Sequence, residues 1–451
     1  MATIAADTNP VSGVAPAAPA ATRIEALDFV RGAALFGILL MNITGFGLPG
    51  AYFNPHNAGG ADGANLSAWM ITMIGFEGTQ RALFSMLFGA SVILLTARLE
   101  ASGRRDAADI YIRRNLWLVG FGLVNAFVFL WDGDILYAYG ITALFAFPFR
   151  RLGPKPLLAI GLAALAGATA WNASETAQML GKHEAFVEAS AARQRGARLD
   201  EEQQGAITAW EEARGAFKST PAETAENISE MTSGLASAFV RTAGHNAHWQ
   251  SWGLYRYFFD IFGMMLIGMA LFKLGVLTLE RRKRLYVAMM LAGYAVGLAI
   301  NAYEVQWIMS RNFSAISFAQ NFVTYDLGRL FTAVGHLGAL LLFVRSGALS
   351  WLRRSLAAVG QMAVTNYLTH SLVCAIFFVG FGFYGQLERH QLYFVVFAIW
   401  AVQLVVSPLW LRRYRFGPVE WLWRWLTYLE RPPFRRVGGV NEGLSAATAR
   451  A

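Results

Sequence analysis

Asp28 and Arg31 stand three residues apart inside an apolar run, and Asn42 follows later in the same run. Three apart means one helix face, so the carboxylate and the guanidinium can pair. Two readings are open for them. They can be a capping acid and a positive anchor at the end of a span. They can also bind an anionic ligand, because the guanidinium fork suits phosphate or carboxylate. Asn42 lies about three helical turns beyond Arg31. Its amide both donates and accepts, so it can glue two helices or hold a substrate. His56 follows in Tyr52-Phe53-Asn54-Pro55-His56. An imidazole there could be a general base near neutral pH, or simply a solvated loop side chain. Asp132 and Asp134, in Trp131-Asp132-Gly133-Asp134, are too close to ionise independently if buried. Either can cap the next helix, orient an imidazole or bind a polar substrate. Base, donor and cation together are the parts of a group-transfer site.

A second set of polar residues also falls in apolar runs. Glu77 and Arg81 are four apart, Asp326 and Arg329 three apart, and Asn366 joins them. An ionised side chain in a span costs at least ~2.5–3.5 kcal/mol, so these should face the bundle interior. They read as structural ion pairs or as the wall of a polar cavity. His245 and His248 sit beside Trp249 and Trp252 and suit an interfacial aromatic belt. His336 and His370 read as hydrogen-bonded core groups. Cys374 is the single cysteine, so no internal disulfide forms. No Cys/His spacing suggests a metal.

These residues need a scaffold, and the apolar runs define it. The expectation is an all-α, polytopic membrane helix bundle of about ten spans. The spans are 27–48, 68–97, 115–131, 135–149, 156–171, 257–276, 285–302, 318–344, 357–383 and 392–411. Residues 1–22 read as a disordered cytoplasmic tail and not as a cleavable signal. Residues 23–171 carry spans one to five, 172–249 form a polar helical insertion, and 250–430 carry spans six to ten. A flexible tail, 431–451, ends the chain, and 416–428 reads as an amphipathic interfacial segment. Arg98, Arg104, Arg105, Arg113 and Arg114 fall between spans two and three; Lys273 and Arg281–Arg284 follow span six; Arg412, Arg413 and Arg415 follow span ten. Segment 49–66 has no Lys or Arg. This alternation predicts both termini inside, in a bacterial inner membrane, with 172–249 outside as a solvated cap or a lid.

The composition fits: 55% hydrophobic and only 15% charged, against roughly 25% charged in soluble domains. The net charge of +9 sits in short loops, so it points to the bilayer and not to nucleic acid.

Several blocks resemble one family. Leu27-Asp28-Phe29-Val30-Arg31-Gly32, Leu39-Leu40-Met41-Asn42-Ile43, Leu83-Phe84-Ser85-Met86-Leu87-Phe88-Gly89 and Trp131-Asp132-Gly133-Asp134 look like the YeiB-like bacterial membrane proteins. Gly360-Gln361-Met362-Ala363-Val364-Thr365-Asn366-Tyr367-Leu368 and Arg415-Phe416-Gly417-Pro418-Val419-Glu420-Trp421-Leu422-Trp423-Arg424 resemble domain of unknown function 418. More distantly, the opening is similar to that of the heparan-α-glucosaminide N-acetyltransferases. That resemblance implies a transmembrane acyltransferase using acyl-CoA, most simply acetyl-CoA, as co-substrate. It implies Asp28 and Arg31 on the CoA, and Asn42 with His56, Asp132 or Asp134 in the chemistry. The acceptor would be a small molecule or sugar with a hydroxyl or amine at the outer face. The alternative is a transporter or channel for a small polar solute lined by Glu77, Arg81, Asp326 and Arg329. The oligomeric state stays open, with a homodimer among the options.

Overall fold

A computed structural model describes residues 20–436, and among them there is no β-strand. The expected tails, 1–19 and 437–451, lie outside the described residues. Residues 20–22 already belong to the first helix, and 434–436 pair back on 413–415.

Sixteen α-helices follow in order: α1 (Ala20–Gly47), α2 (Gly63–Gly75), α3 (Thr79–Ala101), α4 (Ala107–Phe127), α5 (Leu136–Ala146), α6 (Pro154–Gln194), α7 (Glu201–Gly215), α8 (Pro221–Thr232), α9 (Leu235–His248), α10 (Leu254–Lys273), α11 (Lys283–Ser310), α12 (Ala315–Ser346), α13 (Ser350–Gln361), α14 (Ala363–Cys374), α15 (Arg389–Arg413) and α16 (Pro418–Tyr428). Among the described residues, eight continuous or nearly continuous helical stretches are long and apolar enough to cross a membrane. They comprise α1, α2 with α3, α6, α9 with α10, α11, α12, α14 with the π-turn after it, and α15. The protein is an all-α polytopic membrane bundle.

The expected third and fourth spans are absent from these eight. They form the α4–α5 hairpin. Helix α5 has 11 residues and runs on without a break into a 3-10 helix over Phe147–Arg151.

Helix α1 is the centre of the bundle. Its apolar stretch is 78% buried inside the protein, against 22% for α11 at the rim. It packs along α13 because both lines of contact lack side chains. A Cβ on Gly360 would lie 1.9 Å from the Asp28 carbonyl oxygen, and Gly32 meets Leu356 as closely. Small residues of this kind let membrane helices approach backbone to backbone.

The basic loops gather at one end. Lys273 donates to the carbonyls of Arg150 and Leu152, Arg345 to that of Arg281, and Arg113 to that of Thr427. The insertion gathers at the opposite end. Asn54 and Asn57 donate to the Phe217 carbonyl, and Asn246 to that of Ala126. The insertion is not a separate unit. Helix α6 runs from the apolar region straight into it, and α9 returns through a π-turn into α10.

Candidate functional site

Helix α1 carries a cavity at each end. The cavity at the basic end has a volume of about 170 Å³. Arg31 lines it, fixed by a 2.7 Å bond to Asp28 and a 3.3 Å bond to Ser91 of α3. The close α1–α13 packing brings the Gly360 carbonyl within 3.5 Å of the same guanidinium. Arg114 of α4 lines the cavity too, with its guanidinium 3.5 Å from the Trp423 ring centroid. That contact is cation–π stacking, which leaves the in-plane N–H groups available. Arg424 and Arg31 are close enough to repel Arg114, and Arg98 is close enough to repel Arg424. Phe84, Phe88 and Leu118 form an apolar wall. The Glu420 carboxylate of α16 is occupied. It accepts from the backbone of Val364 and Thr365 at 2.8 and 3.0 Å and from the Thr365 hydroxyl, so it caps the start of α14 from a neighbouring helix. Burial raises its pKa from the usual carboxylate value. The cavity therefore has more cations than acids free to answer them.

The cavity at the opposite end is larger, about 580 Å³. Gly45 and Phe46 of α1 line it, and Phe217, Asn227 and Met231 of the insertion cover it. Asp132 and His245 meet on its wall, with 3.3 Å between Oδ2 and Nε2.

One turn, residues 128–135, divides the two cavities. Leu130, Trp131 and Asp132 line the distal one, while Ile135 and Leu136 line the basic one. The Ile135 N–H donates to the Tyr367 hydroxyl at 3.3 Å, and Tyr367 lines the basic cavity. Trp131 is 3% exposed, stacks on Phe46 and directs its indole N–H toward the Tyr367 hydroxyl.

The expected site residues divide accordingly. Asp28 and Arg31 pair as expected, at the basic cavity. Asn42 is half-buried and sits one turn below Gly45 and Phe46 on their face of α1. Asp132 and Asp134 do not face each other. Asp134 turns inward, accepts from Asn125 at 2.8 Å and from the Tyr137 backbone at 2.9 Å, and caps α5. Burial raises its pKa to about 6. His56 is exposed, lies edge-on to Phe313 with 4.5 Å between ring centres, and lines neither cavity. The imidazole that meets an aspartate is His245, which the sequence marked only as part of an aromatic belt.

The Glu77–Arg81 pair does not form. The helix breaks at Gly78, which has φ +63° and whose Cβ would clash with Arg329 and Tyr325. Glu77 is thus in the turn, outside the four-residue register. Its two oxygens accept from the Tyr52 and Tyr325 hydroxyls at 2.7 Å each. Arg81 instead lies 3.2 Å from Asp260 of α10. Arg329 donates to Asp260 at 2.7 Å and to Asp326. Asp326 also accepts from Asn172 at 3.1 Å and from Thr169 at 3.3 Å. Asp260 joins the two arginines, and the apolar run around it concealed it in the sequence. Asn366 is helix glue: it donates to the Val359 carbonyl at 3.1 Å and to Ser407 at 3.2 Å.

Fold and cavities define a polytopic helical membrane protein with a buried site along its central helix. The chain belongs to the YeiB-like family, and residues 271–430 match the family model described as protein of unknown function DUF418. It is 30% identical to the uncharacterized protein YeiB of Escherichia coli (strain K12), over 89% of this chain and 95% of that one. It is 28% identical to the uncharacterized protein YxaH of Bacillus subtilis (strain 168), over 92% and 96% respectively. An uncharacterized 39.9 kDa protein from Bacillus acidopullulyticus is 23% identical, over 91% and 95%. No solved structure matches the chain.

Proposed function

We propose that this protein is a transmembrane acyltransferase of the bacterial inner membrane. It would take an acyl group from cytosolic acyl-CoA and pass it to a hydroxyl or amine acceptor on the far side. The observation that carries this reading is the pair of cavities on α1, basic at one end and lined by Asp132–His245 at the other, with one turn between them. The positive-inside rule assigns the basic end to the cytosol.

Each part has a chemical role. Arg31 and Arg114 take the phosphates of CoA, and the apolar wall takes the pantetheine arm and the acyl chain. The acceptor enters the distal cavity beneath the insertion. Its oxygen or nitrogen attacks the thioester carbonyl at the dividing turn. His245, oriented by Asp132, takes the proton the acceptor loses. The C–S bond then breaks and the thiolate leaves toward the basic cavity, where it is protonated. The Trp131 N–H and the Asn42 amide are the donors suited to the transient oxyanion. The turn must shift for the two cavities to communicate, so transfer is gated.

The solute-pathway alternative loses part of its lining, because Arg81 and Asp326 are committed to ion pairs.

The test is transfer of labelled acetyl from acetyl-CoA to a panel of amines and alcohols by purified protein. The expected result is acceptor-dependent release of CoA. Asn42→Ala should slow it ~100- to 1,000-fold, the usual cost of an oxyanion donor. Saturable binding of acetyl-CoA with no release in the presence of any acceptor would reject the chemistry.

A further inference from the structure

A third, small cavity, about 40 Å³, lies between α2, α11 and α12, away from the basic cavity. Glu77 and Glu304 line it, with Phe53, Phe322, Tyr325 and Arg329. The charges beside it are unbalanced. Arg81 and Arg329 are matched by Asp260 and Asp326. Glu77 and Glu304 remain, and no described cation forms a salt bridge with either. Both Glu77 oxygens accept from phenols, the pattern of a carboxylate and not of a carboxylic acid. Glu304 accepts from Thr324 alone among the described side chains. The rings assemble around them: Phe53 meets Phe322 edge-on at 5.9 Å, and Phe322 meets Tyr325 edge-on at 5.7 Å. Carboxylates among aromatic faces are the surroundings an organic ammonium ion prefers. A second observation refines the ligand. Arg329 is 2% exposed, and its Nε and Nη1 have no hydrogen-bond partner. They ask for an oxygen acceptor next to the cation.

We propose that this cavity binds an organic ammonium ion carrying a neighbouring oxygen, as in an amino alcohol or the headgroup of an aminophospholipid. The ammonium sits between Glu77 and Glu304 against Phe53 and Phe322, and the oxygen accepts from Arg329. The proposal holds whether or not the chain transfers acyl groups.

The test uses the full chain, purified in a non-ionic detergent, and calorimetric titration with ethanolamine. Ethylamine tests the oxygen, and ethylene glycol tests the charge. Ethanolamine should bind saturably, ethylamine more weakly, and ethylene glycol not at all. Glu304→Gln, at the half-buried mouth, should weaken ethanolamine about ten-fold or more, the loss of one charge-assisted hydrogen bond. Glu77→Gln should do the same, with a thermal unfolding scan to confirm folding. Nanodiscs distinguish the source. If discs containing phosphatidylethanolamine block ethanolamine binding and discs of phosphatidylglycerol do not, the ligand is the lipid headgroup. If neither blocks it, the ligand is the free amine. Equal responses to ethanolamine and ethylene glycol, or undiminished binding by folded Glu304→Gln, would overturn the proposal.

Discussion

Two groups of charges lie in this bundle, and they behave as opposites. Around α3, α10 and α12, Arg81 and Arg329 meet Asp260 and Asp326, and the charges cancel. Around α1, α4 and α16, Arg31, Arg98, Arg114 and Arg424 crowd together, while Asp28 holds Arg31 and Glu420 is committed to a helix terminus. A buried charge matched by an opposite charge holds helices in register. An excess of one sign beside a cavity calls for a ligand of the other sign. The difference separates glue from site without reference to residue type.

Substitutions should split along that line. Asp260→Ala leaves Arg81 with no carboxylate partner and Arg329 with Asp326 alone. Breaking a buried pair this way costs about 3–5 kcal/mol, so the variant should unfold well below wild type in detergent or fail to accumulate. Arg114→Ala at the basic cavity should leave the melting temperature nearly unchanged, because it removes a cation with no described carboxylate partner. Equal destabilisation by both would erase the distinction. At the distal cavity, His245→Ala should lower turnover ~100-fold or more if the imidazole is the general base. Its thermal midpoint should stay close to wild type, since the pair with Asp132 is half-exposed and such pairs contribute about 0–1 kcal/mol. His56→Ala should have wild-type activity; a loss there would return the base to that loop. Next comes Glu420→Ala, which removes the carboxylate that caps α14. Loss of a cap costs about 0.5–2 kcal/mol, read as a lower unfolding midpoint.

The smallest effect is a pH dependence. Asp134 goes from 3.8 in the unfolded chain to about 6 when folded, because burial disfavours its charge. The folded state therefore holds its proton longer. Stability from this group is greatest below pH 3.8 and declines as pH rises toward 6, then levels. Thermal midpoints of wild type and Asp134→Asn should draw apart over pH 4 to 6, with wild type losing ground, and run parallel above it. Parallel curves throughout would show that Asp134 titrates as in the unfolded chain.

Much of the architecture was legible in the residues. Long apolar runs gave the helical class, and the loop arginines gave a single basic end, since Lys273 and Arg345 do meet neighbouring basic loops there. Asp28–Arg31 and Asp326–Arg329 paired because three residues on an unbroken helix fix the geometry. Glu77–Arg81 failed because Gly78 breaks the helix between them, and no spacing rule survives a break. Three further residues were hidden for different reasons. Asp260 needed partners from two distant helices to show its role. Arg114 looked like one more loop charge until Trp423 was folded against it. His245 meets Asp132 only because α9 folds back over the end of α4, a tertiary event that no local pattern encodes.

The central claim is that the cation excess at the basic cavity holds the anionic co-substrate. Calorimetric titration of the purified chain with acetyl-CoA at moderate salt tests it most directly. Wild type should bind, and Arg31→Ala and Arg114→Ala should each weaken binding by about 1.5–3 kcal/mol, the range for hydrogen bonds to charged groups. No binding by folded wild type, or full binding by the folded double variant, would contradict the account.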